Sequence, residues 1–346
     1  MQNRKEWERL SLFESHDFVE AWYQQKNVRS LNSQRVKEIT SCFTQGREYF
    51  ASAQNAAISV RPLLLYYGVL ALARGTILLR NKAKSEASLK PSHGLESVDW
   101  QGTLAGGIKK VLDIQIRASS GTFFEFVDAV DNYQDTGSWS AQTLRRGQFR
   151  VVYPKPKFMT DGSVCTLDDL LARDHRIGLV YKEITHKEAK WHPAEIIGLE
   201  KAFEISFFAF SNGPGKEVFE SGFCWPEGTQ VFARDTCRRS RVPNFCVTVE
   251  VNDLSADTVN LPMSSYSGGD AFNVIEDFRN GDRFSQLYRT YMISYILGML
   301  VRYFPSKWTA LLRNEKGDAA MPLLASAMNA VESDFPKGIS EVLVLR

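Results

Sequence analysis

The sequence predicts an α+β protein in which helical N-terminal and C-terminal portions pack around a strand-rich middle. Three features of the 346-residue chain lead to this prediction. Apolar residues recur at helical spacing over residues 1–135, strand-like composition dominates 148–262, and helical spacing returns over 270–346. We therefore expect three regions, with the C-terminal helices packing back on the N-terminal helices.

The N-terminal region contains a segment that is apolar on nearly all sides. Ser33 is a candidate N-cap for one helix, and Pro62 fits the first turn of the next, Arg61–Arg80. A helix that is apolar all round belongs in a core. Gly68 and Gly75 lie seven residues apart on one face, although glycine costs a helix about 0.5–1 kcal/mol relative to alanine. The two glycines therefore predict close contact with another helix.

The middle and the end of the chain follow different patterns. Four segments have strand composition: residues 148–153, 202–210, 230–233 and 245–251. Thr166 is a candidate N-cap for a short helix between them. Residues 284–304 predict a long core helix that ends at Pro305. Two further helices are expected at about 308–313 and 322–333. The apolar run 342–345 predicts a short strand.

Composition favours a cytoplasmic globular protein. Apolar residues make up 44% of the chain, and the net charge of +2 does not by itself indicate a nucleic-acid binder. The five cysteines form no CxxC pair, which favours free thiols in a reducing compartment. The charged N-terminus lacks the apolar region of a secretory signal. The two most apolar stretches, 62–73 and 290–301, fall short of the roughly 20 residues that cross a bilayer, so no membrane association is expected.

Five segments resemble the YaaC-like family of bacterial proteins, in the family's order and over nearly the whole chain. They are residues 43–49 (FTQGREY), 58–68 (ISVRPLLLYYG), 93–95 (HGL), 166–171 (TLDDLL) and 295–303 (YILGMLVRY). The resemblance implies a bacterial cytoplasmic protein and transfers no activity. One departure is that an acidic stretch, 96–100 (ESVDW), stands where the family is expected to carry positive charge. If that charge serves a polyanionic ligand, this chain lacks it.

The helical N-terminal region also resembles HEPN helical bundles. Ribonucleases of that group use an arginine to hold phosphate and a histidine for acid–base chemistry, with about four to six residues between them. Arg9 and His16 have six residues between them. This pair lies near the N-terminus, whereas the group's pair lies late in the bundle. The resemblance implies an alternative function as a ribonuclease in bacterial defence.

Two groups of residues are candidates for a site in the N-terminal region. His93 is followed by Gly94, which lets a ligand approach the backbone, and an imidazole titrates near neutral pH. Tyr66, Tyr67 and Arg74 lie on the most apolar helix, where an arginine with tyrosines can hold a phosphate or stack on a base. The structural alternatives are a turn histidine, and an arginine paired with a carboxylate of another helix.

Basic residues with interleaved aromatic residues occur near the start of the strand-rich region. Arg145, Arg146 and Arg150 flank Phe149, a composition typical of a single-stranded nucleic-acid groove. A solvated surface is the alternative interpretation.

His186 and His192 lack the spacing of a helical metal site, and the chain contains no GxGxxG, Walker A or GxSxG motif. We expect no metal and no cofactor.

These patterns favour a non-catalytic binding protein that engages a nucleotide, a nucleic acid or a partner protein. The basis is a well-patterned core without a recognisable nucleophile and base. The alternative is the HEPN-type ribonuclease, with His93 or His16 acting beside an arginine.

Overall fold

The computed structural model describes most of the chain. The residues described are 4–27, 30–130, 133–135, 150–152, 155–198, 202–207, 214–234, 244–250, 258–259, 264–268, 271–313 and 318–344. The architecture is α+β with helical N-terminal and C-terminal portions, as the sequence predicts.

Helices lie mainly before and after the strands. The α-helices are α1 Arg4–Leu10, α2 His16–Lys26, α3 Ser33–Asn55, α4 Arg61–Arg80, α5 Trp100–Ala105, α6 Thr122–Ala129, α7 Leu167–Leu171, α8 Gly178–Thr185, α9 Lys216–Ser221, α10 Gln286–Tyr303, α11 Pro305–Leu312 and α12 Met321–Val344. The strands are β1 His93–Val98, β2 Gln115–Gly121, β3 Tyr133–Asp135, β4 Arg150–Val152, β5 Val164–Thr166, β6 Trp191–Gly198, β7 Ala202–Phe207, β8 Val231–Arg234, β9 Asn244–Glu250, β10 Thr258–Val259, β11 Ser264–Gly268 and β12 Ala271–Ile275.

Helix α4 is the centre of the helical core, and α3, α6, α10 and α12 pack around it. The predicted close contact at its glycines is confirmed. A Cβ atom at Gly68 would lie 2.7 Å from the Phe50 ring, and one at Gly75 would lie 3.0 Å from the Phe43 ring. Both rings belong to α3, so the missing side chains let α3 and α4 approach closely.

The burial of α4 accounts for its apolar composition. Among the described residues, α4 is the one helix long and apolar enough to cross a membrane, and 72% of its most apolar window is buried inside the protein. Helix α10 is buried from Gln286 to Leu300. Both helices are therefore core elements, as the sequence predicts, and this fits a soluble protein.

Polar side chains fix the ends of α3 and α4. The N-cap of α3 is Asn32 rather than Ser33, because its side-chain oxygen accepts a hydrogen bond from the Arg35 backbone N–H at 2.8 Å. The Arg35 guanidinium donates to the carbonyl oxygens of Leu78 at 2.6 Å and Lys82 at 2.6 Å, where α4 ends. These carbonyls have no partner inside the helix, so Arg35 satisfies them.

The strands form three sheets. A three-stranded antiparallel sheet has the order β1-β2-β5, and a six-stranded antiparallel sheet has the order β11-β12-β6-β7-β9-β8. The third sheet, β10-β4-β3, contains one parallel pair. Strands β1, β2 and β3 lie within residues 1–135, and β12 lies within residues 270–346, although both ranges were expected to be helical. Short strands leave little trace in local periodicity, because their stability comes from pairing and packing with other segments.

The end of the chain differs from the prediction. Helix α12 continues through Pro336 to Val344, so the short strand predicted for 342–345 is wrong. Phe335, Ile339 and Leu343 are four residues apart and each is 0% exposed. Burial of this helical face outweighs the backbone hydrogen bond that proline removes.

A buried arginine joins the six-stranded sheet to the helical core. Arg173 follows α7 and is 1% exposed. Its guanidinium donates to the carbonyl oxygens of Glu276 at 2.9 Å and Asp277 at 2.7 Å, and lies 4.2 Å from the centre of the Phe278 ring. The segment between β12 and α10 is thereby attached to the helices.

Candidate functional site

His93 begins β1, and its position depends on the glycine that follows. Gly94 has φ +82°, a conformation that glycine adopts without strain. A Cβ atom there would lie 2.5 Å from the Phe123 backbone nitrogen. The pairing of β1 with β2 also shifts register between His93 and Leu95. This irregularity sets the direction of the histidine at the start of the strand.

The His93 ring contacts two tyrosines from different helices. Its Nδ1 lies 2.7 Å from the hydroxyl oxygen of Tyr66 on α4. The ring centres of His93 and Tyr295, on α10, are 5.8 Å apart, and those of Tyr66 and Tyr295 are 5.7 Å apart. Tyr291, one turn before Tyr295, has its ring centre 6.5 Å from that of Tyr66. We call Tyr66, His93, Tyr291 and Tyr295 the tyrosine–histidine cluster.

Burial keeps the cluster uncharged at neutral pH. Tyr66 is 0% exposed, and burial raises the pKa of its hydroxyl. Burial likewise raises the pKa of Tyr291, and it raises that of Tyr295 to about 12. His93 is half-buried, and burial, followed by the positive charge of Arg302, lowers its pKa. The imidazole and the three phenols are therefore neutral at pH 7.

An arginine lies at the exposed edge of the cluster. Arg302, near the end of α10, donates through Nη1 to the Tyr67 hydroxyl at 3.3 Å. Its guanidinium carbon is 5.1 Å from the centre of the Tyr303 ring, and Tyr303 is 59% exposed. We call Tyr67, Arg302 and Tyr303 the Arg302 rim. The rim adjoins the cluster through Tyr67, whose ring centre lies 5.9 Å from that of Tyr66, and it offers a cation and partly exposed aromatic rings there.

The two carboxylates of the acidic stretch after His93 each accept a hydrogen bond. Glu96 accepts a hydrogen bond from Arg117 at 3.0 Å across β1 and β2. Asp99 is the N-cap of α5 and accepts from the Gly102 backbone N–H at 3.1 Å. Glu96 also lies near the cluster, because its charge contributes, after burial and Tyr303, to the raised pKa of Tyr295.

The structure brings some of the candidate residues together. His93 and Tyr66 are in direct contact, and Tyr67 lies in the Arg302 rim. Arg74 is partly buried, and its charge acts on Tyr291. In the part of the chain that is described, no hydrogen bond or ion pair joins Arg74 to His93.

The other candidate residues lie elsewhere or outside the described part of the chain. Arg9 is exposed near the end of α1, and His16 begins α2, where its Nδ1 lies 3.9 Å from the Glu20 carboxylate. No contact between Arg9 and His16 occurs among the described residues. Arg145 and Arg146 lie outside the described residues, and Arg150 begins β4 without a described side chain.

Three residues of the site were missed by reasoning from the sequence. Tyr291 and Tyr295 were interpreted only as core positions of an apolar helix, and Arg302 only as its boundary. A signal was present, because Tyr291 and Tyr295 lie four residues apart and Arg302 lies seven after Tyr295, which places all three near one face of α10. What the sequence lacked was the identity of the helix that this face contacts.

Two of the remaining histidines, His192 and His186, have structural roles. His192 is 5% exposed, and its Nε2 lies 2.9 Å from the Glu276 carboxylate. His186 is the C-cap of α8 with φ 57°. In the described ranges, no group of three or more histidine, cysteine or acidic residues is placed to hold a metal ion.

The fold and the site define an α+β protein with a tyrosine–histidine cluster where β1 meets α4 and α10. A family model for YaaC-like proteins matches residues 11–343, and the chain therefore belongs to the YaaC-like family. No curated protein and no solved structure matches the chain. Three of the segments that carry the resemblance, 58–68, 93–95 and 295–303, supply Tyr66, His93, Tyr295 and the Arg302 rim.

Proposed function

We propose that this YaaC-like protein is a non-catalytic binding protein of the bacterial cytoplasm, and that it binds a nucleotide at the tyrosine–histidine cluster and the Arg302 rim. The observation that carries the proposal is the hydrogen bond between Tyr66 and His93 beside Arg302. It combines a fixed imidazole, a cation and aromatic rings in one place.

The chemistry of these groups suits a nucleotide. The Arg302 guanidinium has five N–H donors. Within the described structure, one of them forms a hydrogen bond, to the Tyr67 hydroxyl. The remaining donors match a phosphate, which arginine binds through paired hydrogen bonds. The exposed ring of Tyr303 offers a surface for stacking a base.

The surroundings of His93 favour binding over catalysis. Tyr66 is its hydrogen-bond partner, and no carboxylate forms an ion pair or hydrogen bond with it in the described ranges. In many enzymes a carboxylate orients the histidine that acts as general base and stabilises its protonated form. Burial and the Arg302 charge do the opposite, because both lower the pKa of His93.

The alternative is a ribonuclease that uses His93. One observation favours it: a partly exposed histidine lies within hydrogen-bond distance of a hydroxyl and close to an arginine. Phosphodiester cleavage requires these groups around the phosphate. The Arg9–His16 version of this alternative gains no support from the described contacts.

A nucleic acid or a partner protein remains a further proposed ligand of the basic residues near Arg145.

Calorimetric titration of the full chain with adenosine monophosphate tests the proposal. Arg302→Gln should weaken binding about 10- to 100-fold, since a hydrogen bond to a charged group contributes about 1.5–3 kcal/mol. Arg4→Gln is the matched control, because Arg4 is exposed and pairs with Glu8 on its own helix. The affinity of this variant should equal that of the wild type. No binding by the wild type, or equal losses in both variants, would refute nucleotide binding at this site.

A labelled single-stranded RNA distinguishes the alternative. Turnover that disappears in His93→Ala and persists in His16→Ala would establish the ribonuclease. Binding without turnover supports the binding protein.

A further inference from the structure

We propose that a cavity between α2, α3 and the end of α4 binds a small phosphorylated polyhydroxy compound such as a sugar phosphate. The cavity has a volume of about 430 Å³, and small-molecule sites span about 300–1,000 Å³. It lies beside the end of α4 at Arg80, and Tyr66 of the tyrosine–histidine cluster lies 14 residues earlier on this helix. An α-helix rises about 1.5 Å per residue, so about 20 Å along α4 separates the cavity from the cluster. The cavity is therefore a second site.

The hydroxyl of Tyr23 is a polar group in this cavity that lacks a partner. Tyr23, on α2, lines the cavity and is 5% exposed. Its hydroxyl forms no hydrogen bond within the described structure, although its backbone carbonyl accepts one from Asn27 Nδ2 at 3.0 Å. The hydroxyl is also not one of the fully buried atoms that lack a partner, so the small exposed part of Tyr23 includes this oxygen. A nearly buried O–H that reaches a cavity is placed to form a hydrogen bond with a ligand.

The cavity carries positive charge. Arg35 and Lys82 line it, and none of its described lining residues is acidic. Arg35 is held in place, because its guanidinium donates to the backbone carbonyl oxygens of Leu78 and Lys82, each at 2.6 Å. The Lys82 ammonium group forms no ion pair or hydrogen bond in the described part of the chain. One fixed cation and one without a partner favour an anionic ligand.

The N-terminus of α3 adds to the preference for an anion. Asn32 lines the cavity and is the N-cap of α3, a helix of 23 residues. The first N–H groups of a helix carry partial positive charge and have no acceptor inside the helix. Asn32 satisfies one of them, the N–H of Arg35. The others favour a phosphate beside Asn32.

The remaining lining groups indicate a hydroxylated molecule. Asn27 and Ser30 line the cavity and offer an amide and a hydroxyl, which form hydrogen bonds with sugar hydroxyls. Tyr23 is the one aromatic residue among the described lining residues, and its ring is nearly buried, so it offers little surface for stacking a base. A polar, cationic cavity of this kind suits a sugar phosphate better than a nucleotide.

Calorimetric titration of the full chain with glucose 6-phosphate tests the proposal. The wild type should bind it at least about 10-fold more tightly than glucose, because the phosphate engages charged donors. Lys82→Gln should weaken binding about 10- to 100-fold. Tyr23→Phe, which keeps the buried ring and removes one neutral hydrogen bond, should weaken binding about 2- to 10-fold. Lys37→Gln and Tyr49→Phe are the matched controls and should bind like the wild type, because neither residue lines the cavity.

No binding of glucose 6-phosphate by the wild type, or equal losses in Lys82→Gln and Lys37→Gln, would overturn the inference. Inorganic phosphate that binds as tightly as glucose 6-phosphate would overturn the ligand class, because the sugar would then contribute nothing.

Arg302→Gln separates this site from the proposed nucleotide site. It should leave the affinity for glucose 6-phosphate within about twofold of the wild type. Loss of binding in Arg302→Gln but not in Lys82→Gln would place the phosphate at the Arg302 rim and overturn the inference. A protein that binds glucose 6-phosphate at the cavity and does not bind adenosine monophosphate would refute the proposed function and support this inference.

Discussion

A Cβ atom at Gly298 would lie 2.7 Å from the Cβ of Tyr66, so α10 and α4 are in close contact beside the tyrosine that contacts His93. Real Cβ atoms do not come this near to one another. The absence of a side chain on α10 therefore determines how far Tyr66 extends towards β1, and with it the position of the tyrosine–histidine cluster.

Substitution of Gly298 by alanine should disturb this contact. We expect Gly298→Ala to lower the free energy of unfolding by about 1–3 kcal/mol, because the added methyl group forces α10 and α4 apart. Urea denaturation followed by circular dichroism measures the change. Gly106→Ala is the control, since the nearest atom to a Cβ there is Lys110 Cγ at 3.3 Å on an exposed side chain, and its effect should stay within about 0.5 kcal/mol. Equal effects of the two substitutions would show that the helix contact is not tight.

Removal of the Arg173 guanidinium should weaken the attachment of the six-stranded sheet. Arg173→Ala removes the donor to the carbonyl oxygens of Glu276 and Asp277. It also creates a cavity beside Phe278. We expect a loss of about 3–5 kcal/mol in the free energy of unfolding. Arg173→Lys should recover only part of the loss, because an ammonium group cannot reproduce the planar fork. Full recovery by lysine would contradict this role of the guanidinium geometry.

His175 should make the protein less stable in mild acid. Its side chain is 17% exposed, and burial lowers its pKa from 6.5 to about 4, against the opposing effect of Asp174 and with further lowering by Arg176, Arg289 and Lys337. Between these values the unfolded chain binds the proton and the folded chain does not, so stability falls as the pH drops from about 6.5 to 4. The loss amounts to at most about 3 kcal/mol.

The pH dependence of unfolding in wild type and His175→Gln measures this effect. The wild type should lose more stability than the variant in this range. Asp334, whose pKa burial raises, acts in the opposite direction in both proteins and therefore cancels in the comparison. Parallel pH profiles would show that His175 does not contribute.

Substitution of Arg145 and Arg146 by glutamate tests whether these basic residues contact nucleic acid, one of the two interpretations that the sequence leaves open. If they contact phosphates, affinity for a single-stranded oligonucleotide should fall, and the dependence of log K on log salt should decrease by about 0.7 for each lost contact. Fluorescence anisotropy at several salt concentrations measures both quantities. Arg4→Glu combined with Lys5→Glu serves as the control, because both residues are exposed and the net charge changes by the same amount. Unchanged binding in the double variant would exclude nucleic acid as the ligand of these residues.

Local sequence features predicted the largest elements of the fold. The long apolar segments around α4 and α10 identified the core helices, because only buried helices can be apolar on every side. Thr166 was predicted correctly as an N-cap, and it accepts a hydrogen bond from the Asp169 backbone N–H at 2.9 Å. Strands β1 and β2 were missed because their stability comes from pairing with each other and from packing against α6.

The candidate site was predicted in parts and not as a unit. His93 and Tyr66 were each selected for their own chemistry, and they lie 27 positions apart in the chain. Tyr295 and Arg302 were not selected, because a tyrosine in an apolar helix and an arginine at its end are common in proteins without a site.

The sequence by itself determined which segments are core helices, that the fold is α+β with helical ends, and that the chain resembles the YaaC-like family. These features follow from periodicity, composition and local motifs, which act over a few residues. Only the tertiary structure decided that Tyr66, His93, Tyr295 and Arg302 meet, because their contact depends on how closely α4 and α10 pack. The packing of side chains from distant segments sets that distance, and no local pattern encodes it.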